Sequence, residues 1–113
     1  MKYLIGLLLS LSMCTVVLAQ QDEAGMAKAK KEVACYAYAE AAGYTEDVKA
    51  VHLARIKKYA QDSEIIYTLG YIRGELAVYS TVNKEYYGSR EGALQASGVW
   101  FYENMGCTTA VAI

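Results

Sequence analysis

The residue of this sequence best suited to acid–base chemistry is its only histidine, His52. An imidazole exchanges a proton near neutral pH, so a histidine can serve as a general base or as a pH sensor. His52 falls at or beside the apolar side of a predicted helix, and no motif links it to a serine, a cysteine or a carboxylate. A histidine hydrogen-bonded to a backbone carbonyl or a tyrosine at the edge of the core fits this pattern better. We therefore predict no catalytic residue and no enzyme, and an enzyme that uses His52 is the last of three alternatives.

Two cysteines, Cys35 and Cys107, are expected in the mature chain. An even pair in a small secreted domain is most simply a disulfide. The lack of a Cys-x-x-Cys motif and the single histidine argue against a metal or redox site, so we predict no metal and no cofactor. The Cys35–Cys107 bridge would join the end of the last predicted helix to the middle of the first. Because Cys35 lies away from the apolar stripe of its helix, we expect the bridge at a flank of the fold.

Tyrosine is frequent, with eleven residues in the chain. Its large apolar ring and polar hydroxyl suit both the edge of a small core and a binding surface. Tyr67 and Tyr71 stand one helical turn apart beside Gly70 and Gly74, which makes this the first place to look for a recognition surface. The candidate surface residues are Tyr36, Tyr38, Tyr67, Tyr71 and Tyr102.

The N-terminus has the pattern of a secretory signal peptide over residues 1–19. A positive start precedes an uncharged apolar run that is too short for a comfortable membrane span, and small residues occupy the cleavage positions. Cleavage near Ala19 would release a periplasmic or secreted bacterial protein with one helical domain over residues 20–113. A lipoprotein processed at Cys14 is the minor alternative.

Helical periodicity and capping residues predict four helices, at 22–42, 46–60, 63–79 and 90–105. The sequence contains no proline and no long alternation of apolar and polar residues, which favours an all-α fold. We expect a small four-helix bundle stapled by one disulfide, with the helix at about 63–79 at its centre. No segment of the mature chain is predicted to span a membrane.

The helix at 63–79 has two apolar faces, and Gly70 and Gly74 lie on one of them. Each glycine inside a helix costs about 1 kcal/mol relative to alanine, so close packing of another helix is the simplest reason for the pair. The first and last predicted helices supply residues of matching size, namely Ala37, Ala41, Ser97 and Gly98. We therefore expect the glycine face to be mostly internal, so that a partner would meet only the tyrosines at its margin.

Charge gives little guidance to function, because 11 basic residues are balanced by 12 acidic ones and nothing suggests nucleic-acid binding. In size, signal segment and cysteine content the chain is similar to periplasmic acid-stress chaperones and to immunity proteins, a similarity that assigns no site residues. The leading prediction is a protein that binds another protein in the cell envelope, as an inhibitor, immunity factor or chaperone would. The alternative is a carrier of a small apolar ligand, with a pocket lined by tyrosines, Trp100 and His52.

Overall fold

Four α helices account for the fold of the computed structural model, which describes residues 23–108. These residues contain no β strand, so the prediction of an all-α, four-helix fold is confirmed. The predicted signal peptide at 1–19, with its cleavage site at Ala19 and the alternative site at Cys14, lies outside the described residues. The helices are α1 over residues 23–42, α2 at Glu46–Ile56 with a 3-10 turn at Lys57–Tyr59, α3 at Ser63–Asn83 and α4 at Arg90–Asn104.

Local sequence sets the helix ends close to the predicted positions. Asp62 caps α3 and Ser89 caps α4, each accepting a hydrogen bond from a backbone N–H of the first turn, at 2.8 and 2.9 Å. Gly43 follows α1 with a φ of 75°, and Gly106 follows α4 with a φ of 77°. Glycine adopts this left-handed conformation without strain, which is why both helices end where they do.

Helix α3 continues past Tyr79, where the predicted helix ended, and reaches Asn83. The hydroxyls of Ser80 and Thr81 both donate to the carbonyl oxygen of Ala77, at 2.8 and 2.9 Å. Polar side chains that favour turns are thereby accommodated inside a helix. Among the helices of residues 23–108, none combines the length and the apolar character needed to cross a bilayer.

Helix α1 is the most enclosed helix, because the other three pack around it. Its residue Val33 belongs to an apolar cluster with Ile56 of α2 and Ile65 of α3. Leu76 of α3 and Tyr102 of α4 belong to a second cluster, to which α1 also contributes. Burial on several sides explains why α1 is rich in alanine, whose small side chain lets neighbouring helices approach closely.

Helices α1 and α4 make the closest backbone contact, at Gly98. A Cβ atom placed on Gly98 would lie only 2.7 Å from the carbonyl oxygen of Tyr38 and would also collide with the backbone at Ala42. Only glycine fits at such a crossing. The close helix packing that we predicted for the glycines of α3 therefore occurs at a glycine of α4.

The prediction that the glycine face of α3 is internal is wrong. Gly70 and Gly74 are exposed, and within residues 23–108 no atom lies within 4 Å of a Cβ placed on either of them. Only Ile65, Leu76 and Ser80 of α3 are fully buried. One side of α3 thus packs against α1 and α4, while its opposite side is open to solvent.

The predicted disulfide between Cys35 and Cys107 is confirmed, with Cα atoms 5.6 Å apart. The prediction that this bridge lies at a flank of the fold is wrong, because both cysteines are buried in the cluster that contains Leu76 and Tyr102. Since α1 is buried on more than one side, a side chain away from its main apolar stripe still points into the core. The bridge fixes the chain after α4 to the middle of α1.

Candidate functional site

The outer side of α3 carries a shallow apolar groove, which we call the α3 groove. It is lined by Gly70, Tyr71, Gly74, Glu75, Val78 and Tyr79. These positions fall on one side of a helix because of its 3.6-residue period. The two glycines leave the helix backbone bare at the floor, while larger side chains form the walls.

Several large apolar side chains around the α3 groove are exposed. Tyr67 is 73% exposed, Tyr71 is 58% exposed and Val78 is 63% exposed. The rings of Tyr67 and Tyr71 stack with their centroids 6.4 Å apart. Contiguous exposed apolar surface is uncommon on soluble proteins and typically marks an interaction site.

The apolar surface continues from α3 onto α4 through a series of ring contacts. Tyr79, at the edge of the α3 groove, meets Phe101 of α4 edge to face at 5.5 Å, and Phe101 meets Trp100 in the same way at 5.1 Å. Trp100 is 57% exposed. We call the surface formed by Tyr67, Tyr71, Val78, Tyr79 and Trp100 the aromatic surface.

Glu75 gives the α3 groove an acidic wall. The Tyr71 hydroxyl donates a hydrogen bond to the Glu75 carboxylate, and this bond raises the pKa of Tyr71. Glu64 pairs with Lys30 at 3.2 Å, and Arg73 makes two bonds to Glu40 at 3.0 and 3.1 Å. Within residues 23–108, no lysine or arginine nitrogen lies within 4.0 Å of the Glu75 carboxylate. Within this part of the chain, the Tyr71 hydroxyl thus contacts the Glu75 carboxylate where a basic side chain does not.

His52 lies in a separate, buried network. Its Nδ1 is 2.7 Å from a carboxylate oxygen of Glu32, and its Nε2 is 3.0 Å from the hydroxyl of Tyr102. Glu32 also accepts a hydrogen bond from Arg55 at 3.2 Å. The network ties α1, α2 and α4 together, and every buried side-chain nitrogen or oxygen atom of the described residues has a partner.

This network has the order of groups found in catalytic relays, a carboxylate, an imidazole and a hydroxyl. A relay must place its last group where a substrate can reach it. His52 is 0% exposed, and Tyr102 is buried with Tyr44 packed edge to face on its ring at 5.0 Å. The arrangement therefore fits the structural interpretation, a buried histidine held by a tyrosine.

The tyrosines predicted as a recognition surface divide into three groups. Tyr67 and Tyr71 are exposed and lie together, as the prediction requires. Tyr38 and Tyr102 are buried, and this burial raises the pKa of both hydroxyls. Tyr36 is half-buried. Only the pair on α3 therefore belongs to the exposed surface.

Trp100 and His52, predicted to line one pocket, lie on different sides of the molecule. Residues two apart on a helix point in nearly opposite directions, so Trp100 and Tyr102 occupy opposite sides of α4. His52 packs against Tyr102, whereas Trp100 belongs to the aromatic surface. Among the described residues, no group of three or more His, Cys, Asp or Glu side chains is placed to hold a metal ion.

Sequence reasoning grouped Val78 with Tyr67, Tyr71 and the two glycines, but it did not include Glu75 or Tyr79 in the candidate surface. The spacing of Tyr67, Tyr71, Gly74, Val78 and Val82 follows one helical stripe and could have revealed it. The predicted helix ended at Tyr79, so Val82 at the end of that stripe was not included. Val82 is in fact helical and exposed.

No protein-family model, curated protein sequence or solved structure matches this chain.

Proposed function

We propose that this protein binds an amphipathic helix of another protein in the α3 groove. The observation that carries the proposal is the row of exposed apolar side chains on α3, with two glycines between them. A helix that served only the fold would need one apolar side, and α3 already has one in contact with α1 and α4. Its second apolar side is therefore free for a partner.

A helix is the partner that this shape fits best. Helices pack by placing the side-chain ridges of one into the grooves of the other. The bare backbone at Gly70 and Gly74 offers such a groove, with Tyr71 and Val78 as its walls. Tyrosine anchors at the centre of an interface supply large contact area at a low cost in conformational entropy.

The negative charge of Glu75 indicates which charge the partner helix should carry. The Glu75 carboxylate stands in the wall of the α3 groove without a lysine or arginine partner among the described residues. A lysine or arginine beside the apolar stripe of the partner would pair with it, and unlike charges across an interface favour the correct partner. We therefore propose a partner helix with an apolar stripe and a basic edge.

The setting of this interaction is the bacterial periplasm or the extracellular space. The signal-peptide pattern of residues 1–19 supports it, and a structural disulfide is typical of oxidising compartments. An inhibitor, an immunity factor and a chaperone all act by occupying a surface of another protein. The proposal therefore includes no catalysis.

Synthetic helical peptides test the proposal directly. A peptide with a leucine stripe and lysine edges should bind the oxidised mature protein more tightly than its counterpart with glutamate edges. Tyr71→Ala and Gly74→Leu should each weaken binding by about tenfold or more, since one removes a wall and the other fills the floor. Glu75→Gln should reduce the preference for lysine. Isothermal titration calorimetry measures all of these affinities.

A matched control separates the α3 groove from apolar surface in general. Leu53 of α2 is also an exposed large apolar residue, and Leu53→Ala should leave peptide affinity unchanged. Equal losses for Leu53→Ala and Tyr71→Ala would reject the proposal. Sedimentation equilibrium of the protein alone tests whether the α3 groove binds a second copy of this chain. A dimer that Gly74→Leu abolishes would show that the groove is a dimer interface and would replace the proposed partner helix.

A further inference from the structure

A second cavity lies on the other flank of α3, between α1, α3 and α4, with a volume of about 370 Å³. This volume is at the lower end of the range of roughly 300–1,000 Å³ that small-molecule pockets occupy. The floor is apolar and is built of Ala37, Ala41, Leu76, Ala77 and Leu94. Three of these five side chains are alanines, which leaves space where larger residues would fill it.

The edge of the cavity carries a cation, Arg90, whose side chain is exposed. The Arg90 Nε donates a hydrogen bond to the Ser80 hydroxyl at 3.4 Å, and that hydroxyl donates to the Ala77 carbonyl at 2.8 Å. Ser80 is fully buried, so its hydroxyl is a rigid anchor. This bond joins Arg90 to a buried group of the cavity that it lines.

The two arginines of this cavity differ in their partners. Arg73 is neutralised by its two bonds to Glu40. For Arg90, no carboxylate of residues 23–108 lies within 4.0 Å of the guanidinium nitrogens. A planar guanidinium with free N–H groups binds a carboxylate through two parallel hydrogen bonds.

We infer that this cavity binds a small carboxylate with an aliphatic body, the body on the alanine and leucine floor and the carboxylate on Arg90. This site is independent of the α3 groove, which lies on the other flank of the same helix. It is also distinct from the predicted pocket of Trp100 and His52, neither of which lines it. The inference thus adds a ligand site to the proposed protein-binding surface.

Octanoate and octanol are the probes, because they share an aliphatic chain and differ in charge. Octanoate should bind the oxidised mature protein with a dissociation constant below about 1 mM and at least about tenfold more tightly than octanol. The amide resonances that shift in NMR titration should come from residues around Ala77 and Leu94. Equal affinity for the two probes, no binding, or shifts confined to the α3 groove would overturn the inference.

Neighbouring residues of opposite charge give a matched pair of variants. Arg90→Gln should weaken octanoate binding by about tenfold and leave octanol binding unchanged, whereas Arg90→Lys should restore part of the loss. Glu91, which also lines the cavity, carries the opposite charge, so Glu91→Gln should tighten octanoate binding. Octanoate binding that survives Arg90→Gln, or that weakens in Glu91→Gln, contradicts the inference.

A third variant tests the apolar floor independently of charge. Ala77→Leu should reduce the affinity for octanoate and octanol alike, because it fills the cavity. Tyr71→Ala should leave both unchanged, since Tyr71 lies in the α3 groove. The two proposals can therefore fail separately, because Tyr71→Ala tests only peptide binding in the α3 groove.

Circular dichroism melting of each variant shows that the fold persists. Octanoate affinity that is unchanged in Ala77→Leu would reject the site.

Discussion

The backbone of Gly98 in α4 lies so close to Tyr38 in α1 that a Cβ atom at position 98 would approach the Tyr38 carbonyl oxygen to 2.7 Å. This contact fixes the distance between α1 and α4. It also sets the position of Phe101, one turn further along α4, whose ring stacks on that of Tyr38 at 5.2 Å. The aromatic surface thus rests on a helix crossing that only a glycine permits.

Substitution of glycine by alanine should therefore destabilise the protein in α4 and stabilise it in α3. Gly98→Ala should lower the free energy of unfolding by about 1–3 kcal/mol, because the backbone of α1 cannot give way easily. Gly70→Ala and Gly74→Ala should each raise it by about 0.5–1 kcal/mol, since both positions are helical and open to solvent. Urea unfolding followed by circular dichroism measures the difference. A destabilising Gly74→Ala would mean that something covers this side of α3.

The buried contact between His52 and Tyr102 should contribute measurably to stability. Tyr102→Phe leaves the His52 Nε2 without its partner inside the protein, which should cost about 1–3 kcal/mol. Tyr86→Phe is the matched control, because Tyr86 is exposed and its hydroxyl can bond to water. The comparison uses urea midpoints near neutral pH. Equal effects of the two substitutions would argue against the buried network.

Removal of the disulfide should be strongly destabilising. Cys35 and Cys107 are 72 residues apart in sequence, and a loop of this length corresponds to about 4 kcal/mol in the chain-entropy description. The double variant Cys35→Ala with Cys107→Ala should lose about that much. Both sulfurs are buried, so reduction of the native protein by dithiothreitol should be slow and should accelerate in urea. Rapid reduction without urea would contradict the core location.

Stability should fall in alkaline solution because of two buried tyrosines. Burial raises the pKa of Tyr38 and Tyr102 above the ordinary value of 10.0 in the folded protein. The unfolded chain therefore loses these protons first, and stability decreases as the pH rises above about 10. Urea midpoints at pH 9 and pH 11 measure the effect. Tyr102→Phe should reduce the loss between these pH values, and an unchanged loss would exclude Tyr102 as a cause.

Trp100 offers a direct optical report of the aromatic surface. It is the only tryptophan, and more than half of its surface is exposed, so acrylamide should quench its fluorescence readily. A helical peptide in the α3 groove should shift the emission to shorter wavelength, because the ring contacts from Tyr79 through Phe101 make the surface continuous. Octanoate should leave the emission unchanged. A shift caused by octanoate but not by the peptide would contradict both site assignments.

Local features of the fold follow directly from the sequence. The caps at Asp62 and Ser89 and the glycines at 43 and 106 act through hydrogen bonds and backbone angles of adjacent residues, so their effect is readable without the rest of the chain. The pairing of Cys35 with Cys107 was predictable by elimination. The exposure of Tyr67 and Tyr71 could not be predicted from the sequence, because both faces of α3 are apolar and either could have been internal.

What the sequence determined by itself is therefore the all-α architecture, the starts of α2, α3 and α4, the disulfide and the presence of two apolar faces on α3. Tertiary structure alone decided which face became internal and which glycine carried a helix crossing. It also brought Glu32 to His52 across 20 residues and separated Trp100 from His52. The physical reason is that helical periodicity groups residues on a face, whereas only the packing of the other helices determines what covers that face.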